Sequence, residues 1–298
     1  ILITLIITVR LSRKGRQGIN FKNPEHSIHH QKRPLKEMPL TLVKSIRFIL
    51  CDIDDTLTVE GTLHAETFTM LHRLKESGFC VIPVTGRPAG WCDHIARFWP
   101  VDGIVGENGA FYFRYDPTSK KMLRHYFKDE ASRHKDRERL NAIQEQILTD
   151  IPGSALSADQ AYREADLAID FCEDVPPLSR ERVQKIVEIF ESHGALAKVS
   201  SIHVNGWFGN YDKCSMSRHL LRQVFILNEE QEKTEVLFIG DSPNDCPMFQ
   251  AFPISVGVAN VLDFKGQLDP APAWITEKRG GYGFSEMAEF LISQQGLC

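Results

Sequence analysis

No cysteine of this chain sits in a Cys-x-x-Cys pair. The seven cysteines, at 51, 80, 92, 172, 214, 246 and 298, are scattered and odd in number. That argues against a thiolate zinc site or a disulfide framework and points to a reducing, cytoplasmic setting. Long apolar runs are missing as well. Residues 1–9 are apolar but fall far short of the ~20 needed to span a bilayer. The basic cluster at 10–16 follows that stretch, whereas a secretory signal carries its charge first. No Met precedes Met38, and no internal repeat or low-complexity tract is present. What the 298 residues do contain is ordinary for one large or two medium globular domains, with 42% hydrophobic and 25% charged residues.

Charge is unevenly spread. Residues 1–37 hold eight Lys/Arg and two Glu, a charge of +6; against −4 for the whole chain, the other 261 residues carry −10. We read 1–37 as a disordered or mistranslated extension, with Met38 as the start of the fold and His29-His30 without a metal role. The acidic remainder disfavours a nucleic-acid partner, and no membrane partner is indicated.

The most informative segment is Asp52-Ile53-Asp54-Asp55-Thr56-Leu57-Thr58. It follows the apolar run 46–51, which has strand composition and length. Asp52 and Asp54 are two apart and project to one side at a strand end. Buried strands do not ordinarily end in three carboxylates, because like charges so close raise one another's pKa. A divalent metal bound by hard oxygen ligands resolves the conflict. The same pattern recurs at 236–245, where the apolar run 236–239 ends in Gly240-Asp241-Ser242-Pro243-Asn244-Asp245. Two strands ending in acidic clusters specify a magnesium site far better than one.

From 46 onward strands and helices alternate. The pattern predicts a helix at 62–77 and a strand at 79–84 ending in Thr85-Gly86-Arg87-Pro88. A helix at 91–99 and a third strand at 103–105, ending in Glu107-Asn108-Gly109-Ala110, come next. Such alternation implies a parallel sheet covered on both faces, with ligands bound beyond the strands' carboxyl ends. Between 111 and 206 the pattern changes to a hairpin (111–115 and 122–127), helices at 128–149 and 179–193, and strands at 167–171, 196–200 and 202–205. That is an inserted α+β unit. The first pattern resumes at 213, with helices at 213–225, 244–251 and 285–294 and strands at 236–239, 254–256 and 273–276. Carboxylates, Mg²⁺, the Thr85 hydroxyl and the Lys213 ammonium together suit a phosphoryl group, whose transfer depends on positioning and charge neutralisation.

The ordered segments DIDDTLT (52–58), VTGRP (84–88), DK (212–213) and GDSPND (240–245) resemble the four motifs of haloacid-dehalogenase-type (HAD) phosphatases. The insert resembles the type IIB cap branch, which includes Cof-like, sucrose-phosphate and trehalose-phosphate phosphatases. The resemblance covers residues 46–293. It implies a Rossmann-like parallel-sheet core over 38–110 and 207–298, with an α+β cap of C2B type over 111–206. It implies that Asp52 is the nucleophile forming an aspartyl phosphate, and that Asp54 is the acid and base. Thr85 and Lys213 hold the phosphate, and Mg²⁺ lies on Asp52, Asp54 (through its backbone carbonyl), Asp241 and Asp245. Asn244 is then implied to bond the phosphate or Lys213. Gly86 is a candidate substrate contact, Arg87 reads equally as a substrate contact or a salt bridge to a neighbouring helix, and Asn108-Gly109 reads as a tight turn entering the insert, with a substrate contact by Asn108 as its other role. The partner is then a small phosphorylated metabolite, most simply a sugar phosphate. A phosphomannomutase-like phosphotransferase and a catalytically silent phosphate-binding module are the alternatives. His203 reads as a hydrogen-bonded sheet residue. Trp91 and Trp207 read as packing residues, with stacking on a sugar as their other role. The sequence sets no oligomeric state.

Overall fold

The computed structural model describes residues 33–200, 202–264 and 266–295. Most of the basic extension, with His29-His30, lies outside the described residues. In chain order the first elements are β1 (Arg33–Pro34), α1 (Leu40–Ser45), β2 (Phe48–Cys51), α2 (Ala65–Glu76), β3 (Cys80–Pro83), α3 (Ala89–Phe98) and β4 (Ile104–Gly106). Next come β5 (Phe111–Asp116), β6 (Lys121–Tyr126), α4 (Glu130–Asp150), β7 (Ala155–Leu156), β8 (Asp166–Asp170), α5 (Arg180–Ser192), β9 (Leu196–Val199) and β10 (His203–Trp207). The chain closes with α6 (Lys213–Val224), α7 (Glu229–Thr234), β11 (Val236–Gly240), α8 (Cys246–Ala251), β12 (Ile254–Gly257), β13 (Trp274–Ile275) and α9 (Gly280–Gln295).

Six strands form an all-parallel sheet in the order β1-β13-β12-β11-β2-β3. Its strands are apolar on both faces because both faces are covered. Ile49, Val81, Leu237 and Ile239 face an apolar cluster with Leu71 and Leu74 of α2 and Phe284, Met287 and Leu291 of α9. Leu50, Ile82, Val236 and Phe238 face the opposite cluster, with Leu220 and Leu221 of α6 and Phe249 of α8. After β2 the chain moves outward to β3. After β11, β2's other neighbour, it moves the opposite way to β12. The reversal opens a crevice between β2 and β11 at their carboxyl ends, where α/β sheets bind ligands.

A second, antiparallel sheet has the order β7-β8-β10-β9. Alternation divides its faces. Leu167, Ile169 and Val204 pack on Leu140, Ile143 and Ile147 of α4 and on Ile186 and Phe190 of α5. The other face carries His203 paired in register with Asp170, and Asn205 flanked by Ala168 and Lys198. Ser179 caps α5 by accepting the Arg182 N–H, as its sequence position predicts.

Three details differ from the sequence reading. Residues 33–37 are part of the fold. Arg33–Pro34 pairs with Trp274–Ile275, and Leu35 is buried in the core; two residues of strand were too short a signal to mark this edge. Strand β4 heads an antiparallel sheet with β5 and β6 and meets the parallel sheet through a single bridge, Val84 to Val105. The β5–β6 hairpin, expected with the insert, places Phe111 and Phe113 in the cluster of the parallel sheet. Its aromatics find more apolar surface there than beside the polar α4. Among the described residues no helix is long and apolar enough to cross a membrane.

Candidate active site

Strand pairing builds the site. Cys51 is level with Ile239, and the Asp52 N–H donates to Ile239 O at 3.0 Å. The segment after β2 then curls on itself. Ile53 O accepts the N–H of Leu57 at 2.9 Å and of Thr58 at 3.1 Å. After β11, Gly240 is required sterically: a Cβ there would lie 2.5 Å from Asp245 Oδ2. Its absence lets Asp245 fold back, so that Oδ2 accepts the N–H of Asp241 at 3.0 Å and of Ser242 at 3.3 Å. Gly109, with φ of 104°, packs directly on Asp212 O, where a Cβ would stand 2.0 Å away. This contact docks the loop after β4 against the start of α6. Asp212 caps that helix through a reciprocal bond with Ser215, which fixes Lys213 as its first residue.

Three carboxylates converge. Asp52, Asp241 and Asp245 are all buried, and each offers an oxygen within 4.8 Å of the others. Lys213 Nζ donates to Asp52 Oδ1 and lies 3.7 Å from Asp245 Oδ1. Burial, opposed by Lys213, pushes the Asp52 carboxyl up to about 7. Burial and then the charges of Asp245 and Asp52 push Asp241 up to about 9. Burial works against the Lys213 ammonium, yet the charges of Asp52 and Asp245 hold its pKa above the ordinary value. Asp245 Oδ1 is buried and has no hydrogen-bond partner, a costly arrangement for a carboxylate oxygen. A divalent cation fits these groups. It would take the orphaned oxygen as a ligand and offset the crowded charge with hard oxygen donors.

A cleft of about 350 Å³ opens over this cluster. Asp54, Gly86, Arg87, Asn108, Lys213 and Asn244 line it together with the three carboxylates. The Asp54 carboxylate lies outside the convergent trio and is held by Arg87, from Nε at 3.0 Å and NH2 at 2.6 Å. Arg87 in turn lies over Trp91 at 4.7 Å. Trp91 therefore supports an arginine and is not among the cleft-lining residues. Trp207 is also away from the cleft wall, buried against Tyr211. Thr85 is fully buried below the lining residues, and its hydroxyl accepts the Arg87 N–H at 3.0 Å. Asn108 adopts a left-handed backbone, φ 55°, and its N–H donates to Thr85 O. The Asn244 side chain donates to Val199 O at 3.1 Å, which ties the loop after β11 to β9. His203 is buried in the sheet, as its strand pattern suggested, with Nε2 2.9 Å from Glu173 Oε2.

Sequence reasoning missed the groups that join the loop after β4 to the second sheet, and a lysine on that sheet. Glu107, wholly buried, accepts four backbone N–H bonds: Ala89 at 2.9 Å, Glu164 at 2.9 Å, Ala165 at 2.6 Å and Asp166 at 3.1 Å. It ties the start of α3 to the start of β8. Arg163 reinforces that joint. It donates to Gly86 O at 3.0 Å and pairs with Asp159 at 2.9 Å and Asp166 at 3.0 Å. Lys198, from β9, donates to Asn244 O at 2.9 Å. A charged residue inside the third strand-end loop was the one available hint to Glu107. Nothing local marked Arg163 or Lys198.

Residues 49–160 match the family model of haloacid dehalogenase-like hydrolases. No curated protein matches the chain. Among solved structures, Thermoplasma acidophilum 0175 is similar at TM-score 0.64 and 19% identity, covering 83% of this chain and 98% of that one. The sucrose-phosphatase of Synechocystis, in complex with sucrose and phosphate, gives TM-score 0.57 at 15% identity, covering 83% and 98%. A subclass IIB sugar phosphatase gives TM-score 0.57 at 15% identity, covering 83% and 99%. At these identities the likeness is one of fold.

Proposed function

We propose that this chain, whose residues 49–160 match the haloacid dehalogenase-like hydrolases, is a Mg²⁺-dependent phosphatase of small phosphomonoesters such as sugar phosphates. The observation that carries the reading is the convergence of Asp52, Asp241 and Asp245 around an unpartnered Asp245 oxygen, with Lys213 bonded to Asp52. Mg²⁺ on these carboxylates would supply charge neutralisation for the phosphoryl oxygens. An Asp52 oxygen attacks phosphorus, and the ester P–O bond breaks as the leaving oxygen takes a proton from the Asp54 carboxyl. Asp54 then accepts a proton from water, which attacks phosphorus and releases Asp52 and inorganic phosphate. Such acid–base help contributes ~10²–10⁴-fold. Lys213 holds charge on Asp52 and the phosphate, and Arg87 fixes the Asp54 carboxylate where it can exchange the proton. Gly86 and Asn108 complete the lining, and Thr85 supports the loop beneath.

The four-stranded sheet with α4 and α5 serves in this reading as the cap. It contributes Lys198, Ser200, His203 and Asn205 to the lining, polar groups suited to hydroxyl-bearing leaving groups. Sugar-phosphate names among the fold neighbours agree with that chemistry. A screen of sugar phosphates, nucleotides and phosphoserine with Mg²⁺, read as phosphate release, tests the proposal. Release from small sugar or polyol esters is expected. Transfer of the phosphoryl group to a second sugar in place of water would contradict it.

A further inference from the structure

The cations around the cleft are not equivalent. Arg87 is forked onto Asp54, Arg163 is paired with Asp159 and Asp166, and Lys213 is bonded to Asp52. His203 stands against Glu173. Lys198 has no such partner. Its ammonium donates to the carbonyl of Asn244, and no carboxylate among the described residues forms an ion pair with it. Its position is built. Lys198 is level with Asn205 across the β9–β10 pair, and both line the cleft. The Asn244 side chain returns a bond to Val199 O, next to Lys198, so strand and loop hold each other.

A half-buried ammonium that pairs directly with no carboxylate is costly unless a ligand anion offsets it. Burial first, and then the like charge of Lys213, depress its pKa to about 8 against the opposing pull of the more distant Asp245, Asp52 and Asp212. The reacting phosphate already has Lys213 and the metal-binding carboxylates on the sheet side. Lys198 belongs to the opposing sheet, with Asn205, His203 and Ser200, where the leaving group would rest. Resting on the phosphatase reading above, we propose that Lys198 binds a second anionic group on the leaving group of the substrate. The preferred substrates are then phosphate esters that also carry a carboxylate or a further phosphate. Both anions offer the oxygens an ammonium recognises.

Two matched pairs test this on the full chain with Mg²⁺. 3-Phosphoglycerate and glycerol 3-phosphate differ by a carboxylate. Fructose 1,6-bisphosphate and fructose 6-phosphate differ by a phosphate. The wild type should favour the more anionic member of at least one pair by tenfold or more in kcat/KM, and which pair shows it identifies the anion. K198Q should reduce that ratio at least tenfold, mainly through KM, and K198R should restore part of it. A wild type that hydrolyses these esters without the preference, or a ratio unmoved in K198Q, would overturn the inference alone. Absence of hydrolysis of any phosphomonoester would instead remove the phosphatase reading beneath it.

Discussion

Two regions beside the cleft treat charge in opposite ways. At the carboxyl edge of the parallel sheet, Asp52, Asp241 and Asp245 are crowded, one oxygen is unpartnered, and two carboxyls are pushed to about 7 and about 9. On the side that Arg163 lines, the Glu107 carboxyl is also raised, to about 7, by burial and the charge of Asp166, but its oxygens are saturated by four backbone N–H groups, and Arg163 is held by two carboxylates and a carbonyl. Uncompensated charge marks where chemistry is done, and saturated charge marks where shape is held. Substitutions should separate the two regions: the first loses rate with little change in stability, the second loses stability first.

The largest effect is expected from Asp52→Asn. The amide keeps the shape but is no nucleophile, so kcat should fall by at least about a thousandfold. The metal-free Tm should stay within about 5 °C of wild type, because the change also relieves crowding among like charges. A variant retaining a tenth of the wild-type kcat, with deamidation excluded by mass, would break the comparison on the sheet side.

Glu107→Ala should do the reverse. It strands four N–H donors and leaves Arg163 with one carboxylate fewer nearby. Removing one member of a buried charged network costs about 3–5 kcal/mol, and urea denaturation should show a loss of that size. Glu107→Gln, whose one remaining oxygen can still accept two of these bonds, should cost less. If Glu107→Ala melted like wild type but lost its activity, Glu107 would belong with the reacting groups.

How far the sequence foretold each region follows from the range of its contacts. Asp52 and Asp241 were readable because their meaning is local: carboxylates directly after apolar runs, with Gly240 beside one of them. The alternating sheet was readable for the same reason, and the similar solved structures share that fold. Glu107 was not readable, since three of its four donors lie 57–59 residues further along the chain. Lys198 looks like an ordinary strand lysine until β9 meets the loop at Asn244, 46 residues away. The hairpin aromatics Phe111 and Phe113 carry no mark of which cluster they join.

The edge at 33–37 offers a smaller test. Leu35 is buried in the core, so Leu35→Ala should cost about 2–3 kcal/mol, near the low end for a buried leucine because the strand is at the sheet edge. Removal of residues 33–37 should lower Tm for the same reason. An unchanged Tm in both would show that this edge adds nothing.

The smallest effect concerns pH. Asp52 and Asp241 are raised above the ordinary carboxylate range, so their protonated forms favour the fold. That contribution is present below about pH 4 and is lost as pH rises through about 7 and about 9. Mg²⁺ needs the ionised forms. The gain in Tm on adding Mg²⁺ should therefore be larger at pH 8.5 than at pH 5.5. An equal gain at both would mean that the ion binds elsewhere.

The central claim, that the crowded carboxylates hold a metal needed to act on phosphate esters, is tested most directly by one titration. The full chain is stripped with EDTA, dialysed, and assayed for phosphate release from a sugar phosphate as Mg²⁺ is returned. The account predicts negligible release without the ion and a saturable recovery with it. Undiminished release in EDTA would contradict it.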